Sequence, residues 1–418
     1  MKSSTGRWVS GDDFFDREGE LAVLESRVLD GNHLVMTGQR RMGKTSILQE
    51  LGRRLQLEGW VFLFADVEAD RSEEDMIASL AKAIHPVTPI ASRFLRATGR
   101  RFRRLAKTVD QITAHQLAIR FRGGLDSGNW RSHGENLIAH CAAHPQPVLM
   151  VIDEVPIFLA RLLREENGRA RVDRFLSWLR AVFQKGDASF PVMILSGSIG
   201  LAPLVERLGI SDRINYLDSI RLRPWDLDTS VQCFKKLMTT YGLTADNEVP
   251  QAVYEHLGIG IPQYVQSFFA CLRDYARIHG RDRIARDDVA EVYRTELLGP
   301  SGQIDLAHYE ARLRDGLGDA HRYRLAMEIL AEAAVQGTFT SGARRQLEKR
   351  HSRLVNDAPR LVTETLEVLV HDGYLEPHPD GHRFLMKLLR DWWKARFRHH
   401  YRPLAEESLI GFRENDTP

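Results

Sequence analysis

At 418 residues, with 43% apolar and 27% charged side chains, the chain has the composition of a soluble globular protein and the length for two or three domains. Fifty-eight basic residues nearly cancel 56 acidic ones; the net charge of +2 excludes a uniformly basic or acidic surface and leaves only local clusters to consider. No apolar run approaches the roughly 18 residues of a membrane span, residues 1–7 lack the apolar core of a signal peptide, and Cys141, Cys233 and Cys271 are spaced like neither a zinc site nor a disulfide framework. These features point to the cytosol.

The first predicted strand is the short apolar run 34–36. It leads into Gly38-Gln39-Arg40-Arg41-Met42-Gly43-Lys44-Thr45, a full G-x-x-x-x-G-K-T loop, and then into a pattern carrying Ile47, Leu48, Leu51 and Leu55 at helix spacing. Gly38 and Gly43 let the backbone curl so that successive amide N–H groups face one anion, and the next helix adds the partial positive charge of its N-terminus. Lys44 is then placed to reach the β- and γ-phosphates and the Thr45 hydroxyl to ligate Mg²⁺. With Ser46 the loop makes one continuous nucleotide-binding stretch.

Further apolar runs at 61–64, 148–152 and 192–195, with a fifth at 220–222, alternate with helical stretches. This order predicts a parallel sheet covered on both faces. The stretch 70–145 is long for one crossover and reads as several helices. One of them is strongly basic, with Arg93, Arg96, Arg100, Arg101, Arg103, Arg104 and Lys107 and no acid between 93 and 107. From Pro224 to 298 apolar residues recur at helix spacing without intervening strands, and Leu298-Gly299-Pro300-Ser301-Gly302 reads as a linker. Helical patterns at 323–335, 342–349 and 360–370, then two short β-like runs around Asp380-Gly381, predict a winged helix over 303–402. The predicted division is a P-loop core at 1–224 with a helical insertion at 70–145, a helical lid domain at 225–298, the winged helix and a tail at 403–418.

The run 148–152 ends in Asp153-Glu154. An apolar strand ending in two acids beside a P-loop places Asp153 on the metal side and leaves Glu154 to polarise the attacking water. Asp66 also ends an apolar run, but Val67 follows it, so it reads as a structural residue. No Asn-Lys-x-Asp follows the later strands, which favours ATP over GTP. Ser196 or Ser198, after the fourth run, has the position to hydrogen-bond the γ-phosphate or the water, or to cap the next helix.

These motifs together resemble an AAA+-related ATPase of the archaeal and bacterial ATPase-domain group, close to the STAND signalling ATPases and the origin-recognition ATPases. The matching stretches are Phe15-Asp16-Arg17-Glu18-Gly19-Glu20-Leu21, Gly38 to Ser46, Val151 to Glu154, Leu195 to Gly200 and Gly260-Ile261-Pro262, covering about residues 10–275. The resemblance implies that Phe15 and Arg17 flank the adenine, that Ser198 is the sensor-1 residue, and that Pro262 belongs to the turn through which a helical lid feels the nucleotide. It does not single out an arginine finger; Arg207 and Arg213 lie in the right segment. Without one, hydrolysis is expected to be slow.

The expected function is an Mg-ATP-hydrolysing molecular switch that acts on a protein partner, or on itself, through the lid and winged helix. An alternative is an ATP-regulated DNA-binding protein of origin-recognition type, gripping DNA with the winged helix and the basic segment 93–107. Another is a partner ATPase of a nuclease or transposase from a defence system or mobile element. Glu364 and Glu367 on the third winged-helix helix disfavour insertion against phosphates, and Trp392 and Trp393 read as packing or partner-docking residues.

Overall fold

In a computed structural model of the chain, the described residues are 1–98, 100–106, 108–184, 191–197, 200–317, 319–399 and 401–404. Ser198, Lys107 and residues 405–418 of the predicted tail lie outside them. The chain divides into two compact units, 8–222 and 1–7 with 223–418.

In the first unit the apolar runs become β1 Leu34–Thr37, β2 Val61–Asp66, β3 Val148–Asp153, β4 Val192–Gly197 and β5 Asp218–Arg221, all parallel in the order β2-β3-β4-β1-β5. β3 and β4 are buried at every position, as strands covered on both faces must be, which is why they read as continuous apolar runs. At one edge, β2 alternates buried Val61, Leu63 and Ala65 with half-buried Phe62 and Phe64. At the other, short β5 exposes Asp218 and Arg221, charges that discourage pairing with another chain.

Helices α1 Glu18–Leu29 and α2 Lys44–Leu57 flank β1 in the chain. The β2–β3 crossover holds α3 Glu73–Ile84, α4 Thr88–Ala97, α5 Arg100–Ala106, α6 Ala114–Arg122 and α7 Trp130–Ala142. The basic segment is therefore two helices, not one: α4 closes at Thr98, whose N–H and hydroxyl both bond to the Phe94 carbonyl. Ile90, Phe94 and Leu95 of α4 and Phe102 of α5 join the core, while Arg93, Arg96 and Arg103 are exposed. α8 Val155–Leu162 and α9 Gly168–Phe183 join β3 to β4, and α10 Leu201–Arg207 precedes β5.

The second unit begins with α11 Leu227–Tyr241, α12 Val249–Leu257, α13 Pro262–Ile278, α14 Arg286–Val292 and a π turn at Tyr293–Leu297. A two-residue parallel pairing of β6 Thr244–Ala245 with β7 Arg283–Ile284 corrects the expectation of helices alone; it is too short to leave a period-2 pattern. Nor is 298–302 a linker. Helix α15, Pro300–Leu317, starts there, because proline is suited to a helix's first turn, where its missing N–H costs nothing.

The winged helix follows as α16 Ala320–Gln336, β8 Phe339–Thr340, α17 Ser341–His351, α18 Ala358–His371, β9 Leu375–His378, β10 Gly381–Phe384 and α19 Lys387–Phe397. Its three strands pair antiparallel in the order β8-β10-β9. Trp392 and Trp393, on α19, are buried at 6% and 0% exposure, so they pack the interior and are not a docking surface. α19 also joins the winged helix to the preceding helices: Tyr293 donates to Asp391 at 2.9 Å and the Lys387 ammonium lies 5.2 Å from the Tyr293 ring.

Candidate functional site

β1 ends at Thr37 and α2 starts at Lys44, so the loop between them lies at the carboxyl edge of the sheet, the usual ligand edge of open α/β sheets. Two glycines make this loop possible. A Cβ on Gly38 would stand 3.0 Å from the Leu222 carbonyl oxygen, and Gly43, at the N-cap of α2, has a φ of +83°. Lys44 is 6% exposed, and its Nζ donates to the carbonyls of Gly38 and Gln39, each at 2.9 Å. The cation is thereby held against the start of the loop, with Gln39 and Met42 buried and Arg40 and Arg41 half-buried.

The Thr45 hydroxyl donates to Asp153 Oδ2 at 2.7 Å across 108 residues of sequence. Asp153 ends β3, is 4% exposed, and accepts the Glu154 N–H on its other oxygen at 3.0 Å. Burial and the neighbouring Glu154 charge raise its pKa, against the opposite pull of Thr45, Ser196 and Lys44. Glu154 has a φ of +60° as N-cap of α8, a left-handed backbone that costs a non-glycine residue about 1–2 kcal/mol. Such strain persists where the surroundings fix it, and it turns the Glu154 amide onto the preceding carboxylate. A hydroxyl and a carboxylate in contact are hard oxygen donors, and Mg²⁺ takes one or two such ligands together with substrate phosphates. This donor pair fits it.

Ser46 has a second use. Its hydroxyl accepts the Val9 N–H at 3.1 Å, and one turn on, Glu50 accepts the Gly11 N–H at 2.8 Å. The segment before α1 is thus pinned along α2. Burial pushes the Glu50 carboxyl up, but Arg53, the Gly11 amide and Arg54 together hold it down at about 2. Sequence reasoning missed this anchor, although Ser46 and Glu50 stand four apart on one helix face.

Farther along that segment, Phe15 is half-buried, while Arg17 is 6% exposed and its Nη1 donates to Glu20 at 2.6 Å. Arg213 pairs with Asp173 at 2.8 Å. Asp66 ends β2 exposed, with one oxygen accepting the Glu68 N–H, as a loop residue does. Pro262 belongs to the second unit, where it opens α13 after the Trp225 N–H bonds to the Gly260 carbonyl at 2.8 Å. The structure therefore brings Lys44, Thr45, Ser46, Asp153 and Glu154 to one sheet edge. Ser198 lies outside the described residues, and the neighbour that sequence reading did not connect to Asp153 is Ser196.

No family model and no curated protein matches the sequence. Among solved structures, the chain is similar to a Walker-type ATPase of Pyrococcus abyssi, with a TM-score of 0.61 and 19% identity over 94% of this chain and 100% of that one. It is also similar to the ORC2 protein of Aeropyrum pernix in its ADPNP–ADP complexes, with a TM-score of 0.55 and 15% identity over 93% and 98% of the two chains. At these identities the likeness is one of fold. That likeness of fold extends along nearly the whole chain, from the sheet of the first unit to the winged helix.

Proposed function

We propose that the protein is an Mg-ATP-binding and hydrolysing molecular switch. The observation that carries this reading is the Thr45–Asp153 hydrogen bond at 2.7 Å, which unites the end of the P-loop with the acid that ends β3. Lys44 would bind the β- and γ-phosphates, and the loop amides between Gly38 and Lys44 would cradle them. Mg²⁺ held by Thr45 and Asp153 would neutralise charge developing on the transferred phosphoryl group. Glu154 would accept a proton from the attacking water, giving ADP and phosphate. Phe15 and Arg17 would flank the adenine, Pro262 would feel the nucleotide from the lid, and Ser198 would contact the γ-phosphate. The ADPNP–ADP complexes of the ORC2 neighbour support nucleotide binding in this reading.

The division into a core at 1–224, a lid at 225–298 and a winged helix at 303–402 gives the switch its output. Tyr293–Asp391 and Lys387 tie the lid helices to α19, so a movement of the lid would carry the winged helix with it. The partner it acts on would be a protein or a second copy of the chain, in the cytosol. Lys44→Ala should abolish the thermal stabilisation by Mg-ATP that the wild type shows. Equal stabilisation of both proteins would overturn the reading.

One observation favours a second reading, DNA binding. Arg345, Lys349 and Arg353, on and just after α17, are exposed and carry no ion pair among the described residues, whereas Arg344 and Arg350 pair with Glu348 and Glu328. Against it, α18 presents Glu364, itself held by Arg322 and Arg360. A salt titration decides: each phosphate contact contributes about 0.9 to the slope of log affinity against log salt, and changing the three residues to glutamate should flatten it if they touch DNA.

A further inference from the structure

One buried hydroxyl at this sheet edge has no role in the mechanism above. Asp153 and Ser196 each stand one position beyond the paired residues Ile152 and Leu195 of two parallel strands, so their side chains leave the same face of the sheet side by side. Both are buried, Asp153 at 4% and Ser196 at 1% exposure. The Ser196 hydroxyl makes no hydrogen bond among the described residues. The gap it borders, lined by Thr37, Val155, Pro156, Gly197 and Leu201, has no room for a water molecule. Solvent therefore does not satisfy this hydroxyl. Buried polar groups are nearly always paired, and an exception beside a candidate metal ligand asks for a reason.

Asp153 already accepts from Thr45 and from the Glu154 amide, one donor on each oxygen. A carboxylate has about four acceptor positions, so it has capacity for a third donor. Were Thr45 and Asp153 to hold a cation together, Ser196 would be the hydroxyl beside the carboxylate that solvent does not claim. We propose that Ser196 is a positioning residue that donates to the Asp153 carboxylate in the Mg²⁺-bound state and fixes the orientation in which it serves the metal. The inference rests on the reading of Asp153 as the metal-side acid. It gives Ser196 a task distinct from that of Ser198, for which the family resemblance implies contact with the γ-phosphate. Donors behind a metal ligand alter metal affinity by about 10–100-fold.

The test uses the full chain as wild type, Ser196→Ala, Ser196→Thr and Asp153→Asn. Thermal unfolding is followed in EDTA without nucleotide, and then against Mg²⁺ concentration with a saturating non-hydrolysable ATP analogue. Ser196→Ala should melt at or above the wild-type temperature in EDTA, because it deletes a hydroxyl that has no partner there. It should need about 10-fold more Mg²⁺ for half-maximal stabilisation, with Ser196→Thr at the wild-type midpoint and analogue affinity in EDTA unchanged. A lower melting temperature of Ser196→Ala in EDTA would make the hydroxyl structural and overturn the proposal. So would a wild-type Mg²⁺ midpoint for Ser196→Ala while Asp153→Asn shifts it, or a shift shared equally by Ser196→Thr, which would trace to volume. If Asp153→Asn itself left the midpoint unchanged, the metal-side reading of Asp153 would fall, and the role of Ser196 with it.

Discussion

Replacing Thr45 by valine keeps the branched shape and removes one hydroxyl, the donor 2.7 Å from Asp153 Oδ2. Asp153 is 4% exposed, so bulk water does not replace the lost bond. Hydrogen bonds to charged groups contribute about 1.5–3 kcal/mol. For a unit the size of residues 8–222, each kcal/mol moves the melting midpoint by about 2–4 °C. Thr45→Val should therefore melt about 3–12 °C below wild type in calorimetry of the whole chain, in EDTA and without nucleotide. In an Asp153→Asn background the acceptor is neutral, and the valine should cost only about 0.5–1.5 kcal/mol, the difference being the coupling read from the double-mutant cycle. If Thr45→Val melted with the wild type, the hydroxyl would contribute nothing at Asp153, and the argument that the two motifs are pre-assembled would fail.

Other consequences are as specific. Glu50 is held down at about 2, so its contribution is fully present above the ordinary carboxyl pKa of 4.5 and is lost as pH falls through about 2. The stability gap between wild type and Glu50→Gln, measured by urea unfolding, should be constant at neutral pH, shrink below pH 4.5 and close near pH 2; a gap that widened in acid would contradict the sign. Tyr293→Phe removes the bond to Asp391 and should make the region around α19 more susceptible to limited proteolysis, at a cost of about 1–3 kcal/mol in the second unit. Gly38→Val puts a branched side chain where even a Cβ stands 3.0 Å from the Leu222 carbonyl oxygen, and it should weaken ATP binding in calorimetric titration while the β1–β5 sheet still forms.

Where burial writes a strong pattern, the sequence was sufficient. β3 and β4 are covered on both faces and read as apolar runs; the three helices α16, α17 and α18 and the Asp380-Gly381 turn outline the winged helix. Elements of two residues were not legible, since β6, β7 and β8 are too short to show a period and exist through pairing with distant segments. Pro300 misled in the opposite direction, marking the first turn of α15 and not a break. At the site, Lys44, Thr45, Asp153 and Glu154 were named from motifs alone, because phosphate and metal chemistry fixes their types and spacing. The role of Ser46 and Glu50 in holding the segment at Val9 and Gly11 was not, because it depends on which segment lies across α2. From the sequence, Ser196 or Ser198 suits a contact to the γ-phosphate or the water, or a helix cap, and only the β3–β4 register brings Ser196 beside Asp153.

In the proposed switch, Glu154 drives hydrolysis of an ATP held by the loop from Gly38 to Thr45. Steady-state hydrolysis of Mg-ATP by Glu154→Gln, with bound nucleotide quantified on the same sample, tests it most directly. The expected rate is at least about 100-fold below wild type, the usual contribution of a general base, with ATP still bound. Hydrolysis at the wild-type rate would contradict it.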